Sequence, residues 1–268
     1  FKLKPAYEIG VRLVGSERCI RDRGRDRTAM DLPGGQAELV RQVAAANPRT
    51  VAVVNAGSPV SMDWVDEVPA VLVVWFGGQE MADALVDVLI GESDPSGRLP
   101  TTFPKRLEDT PAFLNYPGEN GQVLYGEGVF VGYRWYAARQ TPVAFPFGHG
   151  LSYATFAWGK AQLSEVPSLA EMADGATCTV TIPVTNSGDR AGSEVVQCYV
   201  APEASVLARP PKELKGFAKV HLEPGESTEV SIELGQRAFA YYDPGDPTWV
   251  ERSIRVPVAS GGRHAGPL

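Results

Sequence analysis

The hydrophobic rhythm of the chain changes once, and that change constrains the fold more than any other feature. Up to residue 90, short β-branched runs alternate with segments of helical period; beyond residue 156 only short alternating runs remain. The first rhythm is that of βαβ units around a parallel sheet, the second that of an all-β sandwich. The expected fold is therefore a mostly parallel α/β sandwich followed by an all-β, immunoglobulin-like sandwich. At roughly 150 residues per domain, a length of 268 agrees with two domains, placed at residues 1–157 and 158–268.

In the first part, residues 11–14 and 50–55 predict strands. Between them, residues 36–46 set Leu39, Val40, Val43 and Ala44 on one helical stripe that ends before Asn47-Pro48. Residues 70–75 are apolar throughout, as expected of a strand covered on both faces. Gly77-Gly78 then opens a helix over 79–90, with Met81, Leu85, Val88 and Leu89 facing inward and Gly91 as its stop. Residues 94–153 are loop-rich, with Pro100, Pro104, Pro111, Pro117 and many aromatics, and long irregular stretches of this kind often carry function. In the second part, strands are predicted at 177–185, 194–200, 212–220 and 228–234. The turn signals Asn186-Ser187-Gly188-Asp189 and Glu223-Pro224-Gly225-Glu226 separate them, which points to an immunoglobulin or fibronectin III type of sandwich.

Charge and cysteine usage narrow the function. With 25 Lys+Arg against 32 Asp+Glu the net charge is −7, which argues against a nucleic-acid partner. Three cysteines (Cys19, Cys178, Cys198) allow at most one disulfide and have no zinc-site spacing, so neither metal nor cofactor is implied. The longest apolar run, residues 70–76, is far short of the roughly 20 residues that span a bilayer, and no signal-peptide layout opens the chain. The chain reads as soluble. Its first residue is Phe1 and a strand follows almost at once, so a cut end with a targeting segment upstream is compatible with it, and the compartment is left open.

Six motifs occur in one order: Asp26-Arg27-Thr28, Asp31-Leu32-Pro33-Gly34, Asn55-Ala56-Gly57-Ser58-Pro59-Val60, Asp94-Pro95-Ser96-Gly97-Arg98-Leu99-Pro100, Gly132-Tyr133-Arg134-Trp135-Tyr136, and Phe145-Pro146-Phe147-Gly148-His149-Gly150-Leu151-Ser152-Tyr153. Together they resemble the C-terminal part of glycoside hydrolase family 3, the β-glucosidase-like enzymes. Lys212-Glu213-Leu214-Lys215-Gly216-Phe217 is similar to the fibronectin III-like domain that ends many members, although the last 20 or so residues are atypical of it. The resemblance covers about residues 10 to 245. It implies a (β/α)8-like barrel N-terminal to this region, a β-linked glucoside or oligosaccharide as substrate, and hydrolysis with retention. An Asp nucleophile would come from the barrel, and a Glu acid/base from a loop of the α/β sandwich. Retention requires the two carboxyl groups about 5–5.5 Å apart, one to attack and one to protonate the leaving oxygen.

The resemblance also exposes a departure. Similar sequences carry Glu-x-Glu-Gly just before the Asp-Arg pair, whereas this chain reads Arg21-Asp22-Arg23-Gly24-Arg25-Asp26-Arg27. Arg23 falls at the acid/base position, and a guanidinium with a pKa above about 12 is no general acid at neutral pH. Asp22 is a neighbouring carboxylate that should point elsewhere from an extended segment. No catalytic residue is thus intact, and the chain alone is expected to be inactive. Cys19-Ile20-Arg21-Asp22-Arg23-Gly24 can be written TGC-ATT-CGA-GAT-CGA-GGG, which one base later reads Ala-Phe-Glu-Ile-Glu-Gly. A frame-shifted origin for Arg23 is therefore an expectation. Ser253-Ile254-Arg255-Val256 can likewise be written so that a shifted frame gives Gly-Ala-Phe-Glu-Phe.

The remaining candidates are substrate-binding or loop-positioning residues. Asp26 and Arg27 would fix the acid/base loop through a charge-assisted pair. Trp64 and Trp75, at or just after strand ends, would stack on a sugar or pack in the core. Glu17 reads as a solvated loop carboxylate, Glu127 as a partner of Arg134, and His149 as a structural imidazole. Gly-x-Ser-x-Gly and the dinucleotide glycine fingerprint are absent. The alternative to a glycosidase fragment is a non-catalytic carbohydrate-binding or accessory module. A nucleotide-binding α/β protein ranks behind both.

Overall fold

A computed structural model describes residues 10–16, 29–203, 207–243, 245, 248–251, 254–255, 257–260 and 263–267. Glu17, Cys19, Asp22, Arg23, Asp26 and Arg27 lie outside the described residues. The chain divides into two compact units: residues 1–93, 102–113 and 142–145, and residues 94–101, 114–141 and 146–268.

The first unit is built on a parallel three-stranded sheet of β1 (Gly10–Ser16), β2 (Thr50–Asn55) and β3 (Ala70–Val73), in that order. Helix α1 (Gln36–Ala46) crosses from β1 to β2 and buries Val40 and Ala44, two members of the expected stripe; Leu39, a third, stays exposed. Thr50 caps the return, its hydroxyl donating to the Asn47 carbonyl at 2.7 Å. β2 is central and buries Ala52, Val53 and Val54. β3 differs from expectation: it is exposed at Ala70 and half-buried at Val71, Leu72 and Val73, because it is an edge strand of this sheet. Helix α2 (Met81–Ile90) follows and ends on Gly91 at φ 81°, a left-handed cap that glycine adopts without cost. Its least exposed residues include Met81, Leu85, Val88 and Leu89, yet none is fully buried. β4 (Phe103–Pro104) and β5 (Val143–Phe145) form a small antiparallel pair.

The second unit is a β-sandwich preceded by helix α3 (Tyr133–Arg139), which rises out of the loop-rich text. One sheet joins β8 (Cys178–Asn186) to β11 (Ser227–Leu234), with β6 (Phe156–Trp158) and β7 (Gln162–Leu163) on the other side of β8. The other sheet pairs β9 (Gly192–Pro202) with β10 (Glu213–Leu222). After the β12 (Ala240–Asp243) and β13 (Thr248–Glu251) pair, the tail adds β14 (Ile254–Arg255) and β15 (Pro257–Ser260) to β9, and β16 (Arg263–Pro267) to β15. Strict alternation on β8 sends Val180, Ile182 and Val184 inward, where they meet Val196, Cys198 and Val200 of β9 and Val230, Ile232 and Leu234 of β11. Full burial of each such side chain stabilises by about 1.5–3 kcal/mol. The sheets approach so closely that a Cβ on Gly216 would overlap the Ile232 side chain.

β9 is buried on both faces and includes Glu194 and Gln197. The motif at residues 94–100 and the end of the motif at 145–153 form a strap in this unit that accounts for both. Asp94 accepts from Ser152 Oγ (2.7 Å), Tyr153 N (2.9 Å) and Ser193 N (3.0 Å). Arg98 pairs with Glu194 at 2.7 Å, both side chains more than nine-tenths buried. Gly148 and Leu99 are linked by a backbone bond of 2.8 Å, and Gln197 Nε2 donates to the Gly148 carbonyl. A Cβ on Gly148, at φ 81°, would overlap the Gln197 amide, so the close approach and the backbone both call for glycine here.

Candidate functional site

In open parallel sheets, ligands bind beyond the carboxyl ends of the strands. Here that edge is formed by Ser16, Asn55 and the residues after Val73, since Ser16 pairs with Asn55 and Val54 with Val73. Val74 N still donates to the Val54 carbonyl at 2.9 Å, and then the chain turns sharply. Trp75 sits at φ 48°, a left-handed conformation that costs a non-glycine residue about 1–3 kcal/mol and persists only where its surroundings impose it. Its half-buried ring lies 5.8 Å from that of Phe103, tilted by 55°. Asn55 Nδ2 donates to Met81 Sδ at 3.4 Å, which ties the end of β2 to the first turn of α2. A Cβ on Gly77 would overlap Met81, so only glycine allows the helix to begin this close to the edge.

The chain leaves β1 at Ser16 on this same edge, and the next described residue is Ala29. The structure thus brings Trp75, Asn55 and Gly77 to the edge where β1 ends. Arg23, Asp26 and Arg27 lie outside the described residues.

Trp64 is placed elsewhere. It is fully buried just before the short 3-10 turn Val65–Glu67, and its indole Nε1 has no hydrogen-bond partner. A ring with no exposed face does not stack on a sugar, so Trp64 is a core residue. The reason is its loop: Ser61 N donates to the Met30 carbonyl at 2.8 Å, and Arg41 of α1 clamps Asp63 at 2.6 Å and Glu67 at 3.0 Å. Those two carboxylates, Glu67 first, raise the Arg41 pKa above its ordinary value.

Two residues carry roles the sequence alone did not assign. In the sequence Asn55 is only one member of a motif, whereas in the structure its amide makes the link to Met81. Arg134 pairs with Glu213 at 3.9 Å rather than with Glu127. Glu213 also meets Lys215 and Arg209, each at 3.1 Å. Burial alone would raise the Glu213 pKa, but Lys215 and Arg209 outweigh it and hold the carboxyl below its ordinary value. The signal was present in the spacing of Arg209, Glu213 and Lys215. Among the described residues, no group of three or more His, Cys, Asp or Glu is placed to hold a metal ion, and no helix is long and apolar enough to cross a membrane.

Comparison with known proteins bears on the whole arrangement. Residues 3–133 match the model of the glycosyl hydrolase family 3 C-terminal domain, and residues 194–261 match the fibronectin type III-like domain. The chain belongs to glycoside hydrolase family 3, in its C-terminal region. Among family 3 relatives it is 47% identical over 227 residues to the probable beta-glucosidase I of Emericella nidulans, covering 84% of this chain and 27% of that protein. It is 43% identical over 269 residues to the probable beta-glucosidase I of Aspergillus oryzae, covering 100% of this chain and 32% of that one. In structure it matches the Bifidobacterium adolescentis GH3 beta-glucosidase with a TM-score of 0.89 at 40% identity, covering 96% of this chain and 38% of that one. The beta-glucosidase of Kluyveromyces marxianus in complex with glucose matches with a TM-score of 0.87 at 41% identity, covering 96% and 31%. The chain therefore spans about a third of the length of the relatives it matches.

Proposed function

We propose that this region is the α/β and fibronectin-like part of a retaining β-glycosidase, β-glucosidase-like, acting on terminal β-linked glucosides or oligosaccharides when a nucleophile-bearing barrel completes it. Alone, the 268 residues hydrolyse nothing. The observation that carries the reading is the likeness, in sequence and fold, to β-glucosidases over about a third of their length, with the match to the family's C-terminal domain. The two family matches fall on either side of residue 157, and that residue serves as the boundary in chain order.

Within this reading, the carboxyl edge of the parallel sheet faces the sugar. Trp75 forms one wall, backed by the buried Phe103 ring, and Asp26 and Arg27 hold the loop that would present the proton donor. Retention needs a carboxylic acid there, because the leaving oxygen must be protonated as the glycosidic bond breaks. The Arg23 guanidinium keeps its protons at neutral pH and is too weak an acid to pass one to the leaving oxygen, so the donor step is lost even if a nucleophile is supplied. The purified chain is incubated with an aryl β-glucoside, and release of the phenol above a buffer blank would refute the proposal.

A further inference from the structure

We infer that Met81 is an oxidation site: a hydroperoxide converts its thioether to the sulfoxide, and the added oxygen loosens the turn at Gly77 that follows Trp75. The chain has four methionines. Met30, Met62 and Met172 are buried, at 8%, 3% and 4% exposure, whereas Met81 is only half-buried and the residues on either side of it, 77–80 and 82–84, are exposed. Oxidation of a side-chain sulfur follows its exposure, so Met81 reacts first.

The step needs the peroxide and nothing else. A sulfur lone pair attacks the outer oxygen of the hydroperoxide, and the S–O bond forms as the O–O bond breaks. The leaving oxygen takes up the proton and departs as water or an alcohol. Sulfur loses two electrons and the peroxide gains them. A flexible apolar side chain thereby becomes a polar one, whose hydrogen-bond acceptor is the new oxygen rather than the sulfur.

The contacts of Met81 decide the consequence. Its Sδ accepts from Asn55 Nδ2 at 3.4 Å, a thioether being a weak acceptor. Gly77 packs so closely against the same side chain that an added Cβ would overlap Met81 Cβ and Cγ and lie 3.2 Å from Sδ. In the sulfoxide, either the oxygen takes the Asn55 donor, which shifts the sulfur in packing where Gly77 leaves no slack, or it turns to solvent and draws the sulfur away from Asn55. Both break the contact that joins the end of β2, the first turn of α2 and Gly77. Trp75, two residues before Gly77, holds a left-handed φ of 48° that persists only while its surroundings impose it, so it relaxes with the turn.

The 268-residue chain and its M81L variant are treated with hydrogen peroxide. Methionine oxidation is followed by peptide mass spectrometry, and backbone hydrogen exchange is followed over residues 74–81. Leucine keeps the volume and the apolar contact and takes up no oxygen, so M81L should fold as wild type does. One oxygen should be gained at Met81 at least about tenfold faster than at Met30, Met62 or Met172, as its exposure requires. Exchange over 74–81 should quicken in oxidised wild type and stay unchanged in peroxide-treated M81L. A methionine sulfoxide reductase supplied with a dithiol, which returns the thioether and leaves water and a disulfide, should restore the original exchange. Oxidation of Met81 no faster than that of the three buried methionines would overturn the site. Oxidised Met81 with unchanged exchange over 74–81, or the same acceleration in M81L, would overturn its hold on the turn. None of these readouts involves a barrel or a glucoside, so they are independent of the proposed hydrolysis.

Discussion

Removing the Arg98 side chain should destabilise the sandwich unit far more than removing the Arg98–Glu194 pair together. The two side chains are 8% and 9% exposed and meet at 2.7 Å. Breaking a buried pair by deleting one partner leaves an uncompensated charge and costs about 3–5 kcal/mol. Glu194 would keep one donor, the Val195 amide at 2.7 Å, so R98M belongs at the lower end, about 3 kcal/mol. For a unit of this size that is a fall in melting temperature of about 6–12 °C. R98M/E194L removes the stranded charge as well. Its residual cost is the Val195 amide without an acceptor, about 1 kcal/mol. Urea unfolding of wild type, both single variants and the double variant gives the coupling directly. A double variant as unstable as the sum of the singles would refute the reasoning, because the pair would then be two independent contacts rather than a strap lock.

Three other perturbations follow from the same structure. Gly77→Ala should lower the stability of the α/β unit by about 1–3 kcal/mol in a thermal melt, since the added methyl group meets Met81 at the first turn of α2. Glu213 has a depressed folded-state pKa, so its contribution is present above its ordinary value of 4.5 and is lost as pH falls through the lower folded value; E213Q should flatten the acid limb of the stability profile below about pH 4.5 and leave its alkaline side unchanged. Cys178 and Cys198 are buried free thiols, and burial pushes Cys198 up to about 12 and Cys178 up as well. A thiol reagent at pH 8 should therefore modify neither in the native chain and both in urea.

What was legible in the sequence is what local periodicity encodes. The helix over 36–46 and the strand over 50–55 carry their own amphipathic stripe or β-branched run, and the structure has them at those residues. The strands β8, β9, β10 and β11 were equally local, with ends that shift by at most two residues, and β8 and β11 alternate as expected; β9 does not, because the strap of residues 94–100 and 145–153 covers its second face. Tertiary position was less legible. The 70–75 run is apolar enough for a central strand, but its place at the edge of the sheet depends on strand order, which periodicity does not encode. Helix α3 was hidden because aromatics that pack on the sandwich, such as Tyr133 on Phe147, obscure the helical stripe. At the candidate site, Trp64 and Trp75 look alike in sequence. Only the clamp of Arg41 on Asp63 and Glu67, and the φ of Trp75, separate a core ring from one at the sheet edge. The reading of Arg23 at the acid/base position rests on the family motif alone, because no local pattern marks such a position, and the residue lies outside the described residues.

The central claim, that this is a family 3 region dependent on a second carboxylate from elsewhere and on an acid at position 23, is tested most directly by one matrix of hydrolysis rates. The chain with Arg23 and its R23E variant are each assayed on an aryl β-glucoside, alone and mixed with the N-terminal region of the Aspergillus oryzae relative. The account predicts turnover only for R23E mixed with that region, and buffer-blank rates for the other three. Turnover by the Arg23 chain, alone or mixed, would contradict it.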